Sequence, residues 1–176
     1  LDNLSKQFGD KKIIQDLSVV IPGRQCIGIL GKNGSGKSTV LKMLTDSLAP
    51  TSGSIWKAPD LKVVYFDQNR DSLDPNWTVK RALSEFGDSV IYQGRSIHIV
   101  SWARKFSFDT EDLGRTVASL SGGEQARILI SRLMQNEADV LILDEPTNDV
   151  DLETLEILEE SLISFAGAIV LVTHDR

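Results

Sequence analysis

Short apolar runs alternate with helically spaced ones along most of this chain. Leu17-Ser18-Val19-Val20-Ile21, Cys26 to Leu30, Val63-Val64-Tyr65-Phe66, Val140-Leu141-Ile142-Leu143 and Ala168-Ile169-Val170-Leu171-Val172 read as strands. The last three are nearly continuous in apolar residues, the pattern of strands covered on both faces. Lys37 to Leu48 gathers Val40, Leu41, Met43, Leu44 and Leu48 on one broad helical face. Gly123 to Gln135 does the same with Ala126, Leu129, Ile130, Leu133 and Met134. Asp151 to Ser164 sets Leu152, Leu155, Leu158 and Leu162 against a solvent side of Glu153, Glu156, Glu159 and Glu160. Pro50-Thr51-Ser52-Gly53 reads as a turn. Strands alternating with helices predict an α/β fold on a mostly parallel sheet.

Residues 78–116 break that rhythm. They lack a strong strand pattern and read as a mostly helical subdomain inserted into the sheet domain, with Trp77, Trp102, Phe106 and Phe108 as packing anchors. The 176 residues suit a single domain. A net charge of -6 argues against a free-standing nucleic-acid binder, which needs clustered Lys and Arg. The one cysteine, Cys26, has no partner for an internal disulfide, so a cytoplasmic setting is expected, with Cys26 as a small buried hydrophobe. No apolar stretch approaches the roughly 20 residues that span a bilayer, so no direct membrane insertion is expected. The chain starts at Leu1 without a Met and stops at Arg176 after an apolar run, which reads as a fragment truncated at its C-terminus.

Gly31-Lys32-Asn33-Gly34-Ser35-Gly36-Lys37-Ser38 fits G-x-x-x-x-G-K-[ST] between an apolar strand and an amphipathic helix. Glycines there let successive N–H groups turn inward onto phosphate oxygens, and the helix start adds partial positive charge. Lys37 is placed to reach the β- and γ-phosphates of ATP, Ser38 to ligate Mg²⁺, and Thr39 to offer a hydroxyl near the α-phosphate. A glycine-rich turn without a ligand is the plainer alternative. The strand Val140 to Leu143 ends in Asp144-Glu145-Pro146. Ligands of open α/β sheets bind beyond the carboxyl ends of strands. Asp144 therefore suits Mg²⁺, held through water, and Glu145, pointing the other way, suits a general base on the attacking water.

Leu120-Ser121-Gly122-Gly123-Glu124-Gln125 matches the signature motif of ABC ATPases letter for letter. Phosphate loop, signature, acidic strand and a final histidine follow that family's order, and the resemblance covers residues 1–176, with 78–116 as the helical subdomain. It implies a P-loop NTPase of the ABC type. It also implies that Phe8 resembles the aromatic that stacks on adenine, although a core role fits Phe8 too. Gln68 resembles the Q-loop glutamine that touches Mg²⁺ and the attacking water. Asn148-Asp149-Val150-Asp151 resembles the D-loop, with Asp151 closing it, and His174 resembles the switch histidine that reaches the γ-phosphate. A surface histidine is the alternative for His174, and His98 reads as a surface residue. In the resembled family the Ser121, Gly122 and Gly123 helix start caps the γ-phosphate of an ATP held by a second ABC domain, on the same chain or in a homodimer. Two domains then sandwich two ATP molecules head to tail.

Asn148-Asp149 stands where transporter ATPases mostly carry a Ser-Ala-like pair. Asp144 through Glu156 resembles the ABC-F branch, and within it the second ATPase domain of Uup-like proteins, with Val150 in place of the usual Leu. That branch implies ATP-driven action on ribosomes and rRNA, or on DNA, through a longer parent. The competing expectations are the nucleotide-binding subunit of a membrane transporter and a module that binds ATP without hydrolysing it.

Overall fold

The computed structural model describes residues 1–66, 73–84, 86–148 and 150–173. In chain order the elements are β1 (Asp2–Phe8), β2 (Lys11–Leu17), β3 (Cys26–Leu30), α1 (Lys37–Leu44), β4 (Ser52–Ser54), β5 (Val63–Phe66), α2 (Val79–Leu83), β6 (Ser89–Tyr92), β7 (Arg95–His98), α3 (Ile99–Arg104), α4 (Gly122–Gln135), β8 (Val140–Asp144), α5 (Leu152–Ile163) and β9 (Ala168–Thr173). They form two compact units. One gathers residues 1–66, 138–146 and 166–173, and the other takes the rest.

The first unit carries a parallel sheet in the order β3-β9-β8-β5. The two inner strands are the continuous apolar runs. Ile142, Val170 and Val172 are fully buried and pack with Leu4 and with Val40, Leu41, Met43 and Leu44 of α1. Each such side chain taken from water contributes about 1.5–3 kcal/mol, so the apolar face of α1 docks the helix on the sheet. A three-stranded antiparallel sheet, β2-β1-β4, completes the unit.

Two expectations for this unit need correction. Leu17 to Ile21 is not a strand; the pairing falls earlier, over Lys11–Leu17, because the two-residue Gly9-Asp10 turn sets Phe8 opposite Lys11. The ladder is irregular toward the start of β1, where Asp16 of β2 adopts a left-handed φ of 48°. Cys26 is exposed rather than buried. It lies on the edge strand β3, whose residues alternate between half-buried Ile27 and Ile29 and exposed Cys26, Gly28 and Leu30.

The second unit holds α2, α3, α4, α5 and a two-stranded hairpin, β6-β7. The hairpin corrects the reading of 78–116 as mostly helical. Gln93 and Gly94 both have positive φ, 50° and 72°, as a two-residue type I′ turn requires. Trp102, Phe106 and Phe108 are buried anchors, with the Trp102 ring 5.0 Å from those of Tyr92 and Phe106. Trp77 is half-buried and lies within 5.0 Å and 5.3 Å of the Arg81 and Arg132 guanidinium groups. His98 is exposed and caps α3, its Nδ1 accepting from the Val100 N–H at 3.3 Å.

Candidate functional site

Residues 31–36 connect the carboxyl end of β3 to α1. The Lys32 carbonyl accepts from Ser35 N–H at 3.1 Å, closing a turn that leaves Asn33, Gly34 and Ser35 exposed. Gly36 has φ 98°, and a Cβ there would lie 2.7 Å from Ile14 Cδ1 and 2.8 Å from Ile13 Cγ2. Only glycine meets both constraints. Gly36 is also the N-cap of α1, which has no side-chain cap and no acidic residue in its first turn. Helix-start N–H groups left in that state favour an anion. Lys37 is only 9% exposed, and its Nζ donates to the carbonyls of Gly31 at 2.5 Å and Lys32 at 3.3 Å. Its charge is thereby held against the loop. Ser38 is exposed and Thr39 half-buried.

Asp144 is the last residue of β8, and its Oδ2 accepts a hydrogen bond from Tyr65 Oη at 2.9 Å. Glu145 follows with φ 51°, a left-handed conformation that costs a non-glycine residue energy, and its N–H donates to Val172 O at 2.9 Å. At Glu145 the backbone thus leaves the extended conformation of the strand that Asp144 ends. Since β9 alone separates β3 from β8, the phosphate loop and Asp144 leave the same sheet edge about 10 Å apart. Phe8 ends β1 with half its surface exposed and Lys6 Nζ 5.1 Å from its ring centre, so it is not a core residue. Gln68 and His174, and Asp149 of the D-loop, lie outside the described residues.

The signature residues belong to the second unit. Leu120 is buried, and Ser121 is the N-cap of α4. Ser121 Oγ accepts from Glu124 N–H at 3.2 Å while Glu124 Oε2 accepts from Ser121 N–H at 2.7 Å. This reciprocal box engages the N–H groups of Ser121 and Glu124 and leaves those of Gly122 and Gly123 outside it. Gln125 Nε2 donates to Leu120 O at 3.1 Å, tying the loop to the helix.

Arg115 clamps the arrangement, donating from Nη1 to Glu124 Oε1 at 2.7 Å and to Asp112 Oδ1 at 3.0 Å. Burial pushes the Glu124 carboxyl up, but hydrogen bonds from Arg115 and Ser121 outweigh it and hold the group below its ordinary range. The Arg115 hydrogen bond likewise depresses Asp112, and the Glu124 and Asp112 hydrogen bonds raise Arg115.

Asp151 caps α5, its Oδ1 accepting from Thr154 N–H at 2.8 Å. That bond, then the Thr154 hydroxyl, holds the Asp151 carboxyl below its ordinary range. Arg127, 7% exposed, donates to Glu153 Oε2 at 2.6 Å and lies 5.4 Å from the Phe108 ring centre. Tyr65, Arg115 and Arg127 went unnoticed in the sequence. Tyr65 sat within an apolar run, and the two arginines have no spacing that announces a carboxylate partner.

An uncapped helix start beside a buried lysine, an acidic strand end on the same sheet edge and a Ser-Gly-Gly helix start elsewhere define an ATPase domain of the ABC type. The chain belongs to the ABC transporter family, whose profile matches residues 14–148. It is 40% identical over all 176 residues to the ATP-binding protein Uup of Escherichia coli, covering 28% of that protein. It is 39% identical over 176 residues to the energy-dependent translational throttle protein EttA of Haemophilus influenzae, covering 32% of it. The chain thus spans about a third of the length of these curated relatives. A dimeric ATP-binding cassette solved in a post-hydrolysis state with ADP and Pi shares the fold, with a TM-score of 0.69 and 22% identity over 99% of this chain and 87% of that one. Among the described residues no helix is long and apolar enough to cross a membrane.

Proposed function

We propose that this chain binds ATP on its phosphate loop, hydrolyses it, and does so as one of two ABC domains that close head to tail. The observation that carries the reading is the pair of incompletely capped helix starts: α1 beside Lys37, and α4 with the Gly122 and Gly123 N–H groups outside the Ser121–Glu124 box. Each suits phosphate oxygens, and a triphosphate gripped by one start has a γ-phosphate left for another.

In this reading the N–H groups of 33–39 cradle the β- and γ-phosphates, and Lys37 exchanges its carbonyl partners for phosphate oxygens. Thr39 lies toward the α-phosphate and Phe8 offers an exposed ring to adenine. Ser38 and Asp144 would hold Mg²⁺, with Gln68 added by family resemblance; a few protein oxygens suit an ion that keeps several of its waters. That ion, when bound, neutralises charge developing on the phosphoryl oxygens. Glu145 takes a proton from the attacking water, with Gln68 and His174 assigned to the water and the γ-phosphate by family resemblance. Ser121, Gly122 and Gly123 serve the partner's ATP. Loss of the γ-phosphate removes the contact that joins the two domains.

The likeness to Uup and EttA over the whole chain, with Asn148-Asp149 in the D-loop, supports an ABC-F protein of the cytoplasm. EttA's description as a translational throttle favours the ribosome as the parent protein's partner. Phosphate release should require Mg²⁺ and fall at least a hundredfold in Glu145→Gln, whose ATP affinity should persist. Release from Glu145→Gln at the wild-type rate would remove the general base. The parent protein carrying Glu145→Gln should pellet with ribosomes when ATP is present; its absence from the pellet would favour a transport subunit.

A further inference from the structure

Tyr65 is the third residue of β5, a strand otherwise made of Val63, Val64 and Phe66. It pairs with Ile142 of β8, so Asp144 is its diagonal neighbour two residues on. Diagonal pairs on one sheet face lie within reach of an aromatic side chain. The Tyr65 hydroxyl ends 2.9 Å from Asp144 Oδ2. The residue is 42% exposed, so burial alone does not account for an aromatic at this point. A phenylalanine would cover the same surface and lack the donor to the carboxylate oxygen.

We infer that Tyr65 is a positioning residue that fixes the Asp144 carboxylate for Mg²⁺. This rests on the proposed metal role of Asp144. A carboxylate on a single rotatable carbon sweeps its oxygens through several orientations. A hydrogen bond to Oδ2 selects one of them and leaves Oδ1 for the hydrated cation. The bond is charge-assisted and spans neighbouring strands held in register, so its geometry is set by the sheet rather than by a loop. Positioning partners of this kind shape metal affinity without touching the metal.

The test measures binding of a fluorescent ATP analogue to the 176-residue chain, in EDTA and across a Mg²⁺ titration. It compares wild type, Tyr65→Phe, Asp144→Asn and the double variant. Tyr65→Phe should keep the EDTA affinity and need roughly five- to tenfold more Mg²⁺ for half-maximal effect. In the Asp144→Asn background it should change nothing further. An unchanged Mg²⁺ requirement in Tyr65→Phe, with a raised one in Asp144→Asn, overturns the role of Tyr65 alone. A Tyr65→Phe effect of equal size in both backgrounds overturns it too, as a structural effect. An Asp144→Asn variant with the wild-type Mg²⁺ requirement overturns the metal role of Asp144, and this inference with it.

Discussion

The carboxylate of Asp151 occupies the space in which any side chain on Gly123 would begin: a Cβ there would lie 1.8 Å from Asp151 Oδ2. The residue that closes the D-loop and caps α5 is thus packed directly on the first turn of the signature helix. Gly123→Ala should lower stability by about 1–3 kcal/mol through this overlap. Replacing Asp151 by Ala in the same chain should return part of the loss, because the two effects share one contact. Urea unfolding midpoints of the two single variants and the double variant check this.

The same carboxylate gives stability an acid dependence. Its folded pKa is depressed, by the Thr154 N–H first, so the unfolded chain takes up the proton at higher pH than the folded one. The stabilisation is complete above the ordinary carboxylate value of about 4 and is lost as pH falls through the lower folded value. Asn caps a helix about as well as Asp but does not titrate. Thermal midpoints from about pH 6 to pH 3 should therefore fall more steeply for wild type than for Asp151→Asn. Parallel curves would contradict this.

Arg115 holds Glu124 and Asp112 with one guanidinium. A lysine keeps the charge and loses the fork. Arg115→Lys should loosen the first turn of α4, read as faster amide hydrogen exchange at residues 121–125. Little change is expected in α5. Equal exchange in the two chains would show that the Ser121–Glu124 box stands without its clamp.

Lys37 donates to the carbonyls of Gly31 and Lys32, contacts that in the proposed reading give way to phosphate oxygens. Lys37→Ala should weaken ATP binding at least tenfold, because a charge-assisted contact to phosphate is removed. The fold should persist, since α1 docks through Val40, Leu41, Met43 and Leu44. Equilibrium binding with circular dichroism separates the two effects.

The parallel sheet was legible because its strands are written as apolar runs, and β3, β5, β8 and β9 fall within a residue of the expected bounds. The glycine loop at 31–36 was legible because Gly36 answers to a backbone angle and to two isoleucines that crowd it, constraints that leave a mark on residue identity. The antiparallel β1 and β2 were not, since apart from the buried Leu4 their residues are half-buried or exposed and lack a clear period. The β6-β7 hairpin was not legible, although Gln93-Gly94 marks its turn, because each strand has four residues and Val90 is the one buried side chain between them. Tyr65 and Asp144 are far apart in sequence, and only strand register brings them together.

The central claim, that each ATP is gripped by one domain and sealed by the signature of another, is tested most directly by mixing two inactive chains. Lys37→Ala disables the phosphate loop and Ser121→Arg the signature. Each alone should release no phosphate. An equal mixture should regain up to about a quarter of wild-type turnover, since half the pairs are mixed and each of those has one intact composite site. Turnover in wild type with none regained in the mixture would contradict the account, as would full activity of Ser121→Arg by itself.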